Sequence, residues 1–185
     1  TDFDKYLSLA SVMPLLGYGS NLRSGAAIPS SYYFNLATWH TINQAYTRKS
    51  VTQLADLARD ASEPARIARL QNLIEERAGH WLAIQVEGAK IALSDADMVR
   101  LQLDRLSPPE TLDVAREQFE TAIAGLVDQV ATTVNKLFAD AGVQPDDVDT
   151  VFFTGGSSGV GLLRERIGAM VPAARRVEGD LRSEE

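Results

Sequence analysis

A strand-like apolar run that ends in a cluster of glycines constrains this chain more than any other feature. Thr150-Val151-Phe152-Phe153-Thr154 is almost continuously apolar, the pattern of a strand buried on both faces in a parallel sheet. Gly155-Gly156-Ser157-Ser158-Gly159 follows, and then apolar residues at helical spacing: Leu162, Leu163, Ile167 and Met170. Strand, glycine turn and helix in that order predict an α/β fold. In such a turn, backbone N–H groups and the helix N-terminus face outwards and can hold an anion or a ribose. Glycine lets a ligand approach the backbone closely. The alternative is a plain tight turn. A P-loop needs Lys and then Ser or Thr after its last Gly, and no Lys follows Gly159. The letters do satisfy the nucleophile elbow of a serine hydrolase, but that mechanism needs an acid and then a His downstream. The only histidines, His40 and His80, lie upstream.

Of the 185 residues, 45% are hydrophobic and 23% charged, enough for one domain or two small lobes. A net charge of -7 argues against nucleic acid as a partner, because phosphate binding needs a basic face. Without Cys there are no disulfides, Cys-based zinc sites or thiol nucleophiles, which fits a reducing, cytoplasmic setting. No apolar run approaches the ~18 residues of a membrane helix, so no membrane partner is expected. The start at Thr1 has neither Met nor a signal-peptide pattern, and the end is the charged Arg182-Ser183-Glu184-Glu185. Both ends read as cut, so the expectation is a piece excised from a longer protein.

The pattern predicts a helix from Asp2 to about Met13, a loop through Gly17, Gly25 and Pro29, and a helix from about Tyr32 to Tyr46 capped by Ser30 or Ser31. A short helix near Val51–Arg59 follows. Pro64 opens another that continues, bending near Gly79, to Leu93. Met98–Leu103 alternates as a strand, and a return strand at Thr111–Val114 makes a hairpin. A long helix from about Ala115 to Ala141 carries Phe119, Ile123, Val127, Val130, Val134 and Leu137 on one face. A last strand is expected near Arg175–Glu178. The expected division is a helix-rich piece with a small hairpin, residues 1–113, and an α/β piece, residues 114–185.

Glu87, Lys90 and Ser94 stand at i, i+3 and i+7 and share a helix face. A carboxylate, an ammonium and a hydroxyl there can hold a sugar's hydroxyls and an adenine edge. The simpler reading is a Glu87–Lys90 ion pair contributing about 0.2–0.5 kcal/mol. His40 beside Trp39 and His80 beside Trp81 have no second ligand in a metal-binding pattern, so packing or surface positions are expected and no metal site. The aromatics between Tyr32 and Tyr46 read as core, or alternatively as a partner-binding face.

Four of these stretches, in order, resemble the nucleotide-binding domain of DnaK-type heat-shock chaperones, members of the actin-like ATPase superfamily. They are Asp2-Phe3-Asp4; Glu87-Gly88-Ala89-Lys90-Ile91-Ala92-Leu93-Ser94; Val114 to Glu120; and Val151 to Ser158. The segment from Leu16 to about Ser62 lacks a counterpart in the standard chaperones and looks most like the YegD-like subgroup. The resemblance implies most of the second lobe of such an ATPase: an outer helix-rich subdomain, then part of an RNase-H-like inner one. It implies adenosine, as ATP or ADP, held by Glu87, Lys90 and Ser94 on one side and Gly155, Gly156 and Ser157 on the other, with Asp180 near the ribose. It also implies that the catalytic Lys, the Mg2+-associated Asp residues and the phosphate loops precede Thr1. The piece alone is therefore expected not to hydrolyse ATP, and Mg2+ would enter only through the missing first lobe. That lobe and a co-chaperone or exchange factor are the implied protein partners. Two arginines that the family stacks on adenine are replaced by Ile91 and Gly159, a loss of about 0.5–2 kcal/mol each. Two other readings remain: a nucleotide-independent interaction module on the same fold, and a relative of the sugar kinases.

Overall fold

The computed structural model describes residues 1–156 and 158–179. The chain forms two compact units, Thr1–Phe119 and Glu120–Glu185. Together the described residues are mostly helical, with two small two-stranded sheets.

The first unit begins with α1 (Asp2–Ser11), started by a capping box in which Thr1 and Asp4 satisfy each other's backbone and side chain. Pro14 follows within a 3₁₀ turn, Met13–Leu16. The predicted single helix over Tyr32–Tyr46 is instead α2 (Ser31–Ala37), a 3₁₀ turn (Trp39–Thr41) and α3 (Ile42–Ala45). Thr38 is extended, and the Thr41 hydroxyl donates to the carbonyls of Asn35 and Thr38 at 3.1 and 3.0 Å, so a local bond replaces helical continuation. Ser30 occupies the N-cap of α2, but no side-chain capping bond forms. Next comes α4 (Arg48–Arg59), capped by Thr47.

The predicted bent helix is two helices, α5 (Pro64–Glu75) and α6 (Gly79–Ala92). Arg77 between them has φ 51°, which a continuing helix does not allow. Close packing explains the position of the break. A Cβ on Gly79 would lie 2.6 Å from the Tyr46 hydroxyl and 2.7 Å from Ile42 Cγ2. Gly79 N–H donates to that hydroxyl at 2.9 Å.

β1 (Met98–Leu103) and β2 (Glu110–Ala115) form the expected antiparallel hairpin, with Leu101 opposite Leu112. α1 packs on α2 and α6, α4 on α5, and α6 on β1. Leu7, Tyr33, Leu36, Ile67, Leu73 and Leu82 are buried at the centre. Arg69 donates to Leu15 O at 3.0 Å and to Glu110 Oε1 at 2.6 Å, tying α5 to the 3₁₀ turn and to the hairpin.

α7 (Arg116–Ala141) leads into the second unit, which also holds β3 (Thr150–Phe153), α8 (Gly161–Met170) and β4 (Arg175–Glu178). β3 and β4 pair in parallel, in register Thr150↔Arg175 to Phe153↔Glu178. Two sequence expectations fail here. Phe152 is 67% exposed, so β3 is not buried on both faces: among the described residues its sheet has only two strands. The apolar face of α7 is buried at Ile123, Val127 and Ala131 but open at Val130 and Leu137. Helical spacing marks the apolar side without showing how far along it the covering extends.

Candidate functional site

α6 is apolar nearly all round. Leu82, Val86, Ala89 and Leu93 face the core, while Ile84 and Ile91 are exposed. Position along the helix sets what each predicted residue can do. At 3.6 residues per turn, Ile91 lies about 40° from Glu87 to one side, and Ser94 is exposed in the turn just after the helix ends at Ala92. Lys90 lies about 60° to the other side. Glu87 and Ile91 accordingly share the exposed face of α6. Lys90 turns inwards and is only 2% exposed.

The charge of Lys90 is met by Asp4, not by Glu87. Nζ lies 2.7 Å from Asp4 Oδ1, joining α6 to the first turn of α1. The expected Glu87–Lys90 pair is therefore replaced by a longer-range one. Burial by itself would raise the Asp4 carboxyl, but the adjacent Lys90 ammonium and hydrogen bonds from the Thr1 nitrogen and hydroxyl outweigh it and hold it below the ordinary value. Sequence reading missed Asp4 as a partner. Its only local signal is the Thr1-x-x-Asp4 capping spacing, which says nothing of Lys90.

The end of α6 is pinned where Ser94 emerges. Arg116 Nε donates to Leu93 O at 2.9 Å, and the Arg116 backbone N–H donates to Asp97 O at 2.8 Å. At the other end, a cleft of about 360 Å³ opens beside the start of α1, lined in part by Asp2, Asp4, Trp39, His40 and Glu87. Of the predicted site residues described in this unit, Glu87 lines it, while Lys90 and Ser94 do not. Trp39 is 54% exposed, against the expectation that this aromatic group is core, and its ring meets His80 edge-on at 4.9 Å. Tyr32 and Tyr33 do lie in the core.

In the second unit the glycine turn is open. Gly155 has φ 84°, which favours glycine, and both Gly155 and Gly156 are exposed, with nothing within 4 Å of where a Cβ would stand. A ligand can reach this backbone without displacing a side chain. The Ser158 hydroxyl donates to Gly155 O at 2.6 Å and closes the turn. Arg164 donates to Ser158 O and pairs with Glu178 at 2.6 Å, while Gly179 N–H donates to Phe153 O at 2.9 Å. The ends of β3 and β4 are thus held side by side. Ser157 and Asp180 lie outside the described residues.

Chemically, α6 offers an acceptor at Glu87 and an apolar contact at Ile91, the turn after it offers a hydroxyl at Ser94, and the glycine turn offers open backbone. Groups of these kinds can accept or donate hydrogen bonds to a ligand.

Residues 62–179 match the family model described as Hsp70 protein. The chain is also 44% identical over 80 residues to the chaperone protein HscA of Salmonella typhimurium. The HscA of Salmonella newport matches equally, and each match covers 43% of this chain and 12% of the relative. The chain thus spans a small part of the length of these relatives. The family match begins after α4 and includes α5, α6, the hairpin, α7 and the glycine turn.

Proposed function

Because this chain belongs to the Hsp70 family, we propose that it is the nucleotide-facing lobe of a chaperone ATPase and supplies the adenosine half of an ATP or ADP site. Glu87 on α6 and Ser94 just beyond it hold the sugar, with Lys90 as a further contact. Gly155, Gly156 and Ser157 bring open backbone to the adenosine, and Asp180 stands near the ribose. The observation that carries this reading is the exposed pair Glu87 and Ile91 on α6, followed by exposed Ser94 in the turn just beyond it, all within the matched stretch. Ile91, 59% exposed, offers an apolar edge to the base where the family stacks an arginine.

In the longer protein, nucleotide would join this lobe to a first lobe carrying the phosphate loops and Mg2+ ligands, and hydrolysis would release the closure. The inner part would belong to an RNase-H-like core, and the likeness of the segment from Leu16 to about Ser62 supports a YegD-like parent. The setting is cytoplasmic. A co-chaperone or exchange factor would act on the outer helices.

An amide-shift titration of the 185-residue chain with ADP tests the reading. Saturable shifts at Glu87–Ser94 and Gly155–Gly156, weakened by Glu87→Ala, are expected. Absence of shifts at millimolar ADP would defeat it. A second reading, a nucleotide-independent interaction module, is favoured by one observation: Ile84 and Ile91 are exposed on α6 while Lys90 is withdrawn. That reading predicts no response to ADP.

A further inference from the structure

Two roles compete for Lys90. On the reading above, its ammonium meets the sugar of a nucleotide. In the structure it is 2% exposed, and Asp4 Oδ1 stands 2.7 Å from Nζ. Asp4 is itself fixed: its Oδ2 accepts from the Thr1 hydroxyl at 2.6 Å, and its backbone N–H completes the capping box. Phe3 and Leu7, buried on the same helix, hold α1 in place, and α1 packs on α6. The carboxylate therefore has little freedom to follow Lys90 outwards. An ammonium beside a carboxylate gains an attraction between full charges that a neutral hydroxyl does not supply. A neutral sugar hydroxyl competes poorly with a carboxylate for the same ammonium.

We propose that Asp4 is a positioning residue that sets the nucleotide affinity of α6 by retaining Lys90 between α1 and α6, so that a sugar meets Glu87 and Ser94 directly and gains Lys90 only by drawing it away from Asp4. This rests on the nucleotide-lobe reading.

The test is the ADP dissociation constant of the 185-residue chain, of Asp4→Asn, of Lys90→Met and of the double variant. Asp4→Asn should bind ADP about threefold tighter or more, because freed Lys90 can reach the ligand, and the gain should vanish in the double variant. Unchanged or weaker binding by Asp4→Asn, with wild-type binding intact, overturns the role of Asp4 and leaves the lobe reading standing. No binding by the wild type defeats the lobe reading and this inference with it. A second measurement needs no substitution. The Asp4 carboxyl, faced by Lys90 and by Thr1, is titrated by NMR without and with saturating ADP. Drawing Lys90 away raises its midpoint, and an unmoved midpoint at saturation overturns the inference.

Discussion

In the first unit Leu7, Leu36, Ile67, Leu70 and Leu73 are at most 1% exposed, and long-range bonds such as Arg69 to Glu110 and Lys90 to Asp4 tie elements that are distant in sequence. In the second unit Val130, Leu137 and Phe152 are 39, 62 and 67% exposed, around a parallel pair of strands. Parallel sheets are ordinarily covered on both faces. One unit completes its own core, while the other leaves apolar surface open. A ligand-holding face behaves differently in each setting. On α6 it rests on a packed base, whereas at Gly155 it rests on a turn braced by Arg164 and on few covered side chains. Local opening costs least where buried contacts are fewest, so the glycine turn should be more adaptable than α6.

The sharpest way to break this comparison is to remove equal side chains from the two units. Leu73→Ala, at a fully buried position, should cost about 2–5 kcal/mol through lost burial and the cavity left behind. Leu137→Ala, at a position 62% exposed, should stay within about 0.5 kcal/mol. Denaturant unfolding of both variants reads the difference. Similar costs would mean that the second unit is covered in solution, for instance by self-association, and the contrast would fall.

Asp4→Asn sharpens the comparison by asking whether the first unit depends on its inter-helix charges. It leaves Lys90 without a buried counter-ion, which should cost about 2–3 kcal/mol at neutral pH; Asp4 keeps some exposure, so the effect falls short of a fully buried pair. The folded-state pKa of Asp4 lies below its ordinary 3.8, so its contribution is fully present above that value. It is lost as pH falls through the depressed folded value. The stability gap between wild type and Asp4→Asn should therefore be constant from pH 7 down to about 5 and close at still lower pH. A gap that persists unchanged in strong acid would mean that the carboxylate contributes by packing, not by charge.

Much of this was readable from local sequence, and the failures share a cause. The β1–β2 hairpin followed from alternation around Ser107-Pro108-Pro109, and α8 and β4 followed from periodicity after the glycine turn. Glu87, Lys90 and Ser94 were expected on one helix face, but α6 ends at Ala92, so Ser94 stands in the turn beyond it. Lys90 shares the spacing but not the fate, since its direction is decided by a carboxylate on another helix. The break at Thr38 depends on a hydroxyl bonding across the turn, and the exposure of Phe152 on how many strands flank it. Each of these is a tertiary fact with no local signature.

Gly79 gives the smallest expected loss at a buried position and the finest test of how tightly the first unit is closed. In an open helix, Gly→Ala stabilises by about 1 kcal/mol, because alanine loses less backbone freedom on folding. Here the added methyl would press on the Tyr46 hydroxyl at 2.6 Å and on Ile42 Cγ2 at 2.7 Å, distances that packed atoms do not sustain. Overpacking typically costs 1–3 kcal/mol. The propensity gain offsets part of it, leaving a net loss of about 1 kcal/mol. Thermal unfolding should register a small drop. The Tyr46 hydroxyl, whose pKa burial raises, should titrate closer to its ordinary value once the ring is pushed outwards. An unchanged Tyr46 titration together with a stabilised fold would show that α3 yields without cost, and that the first unit is less rigidly closed than its buried leucines indicate.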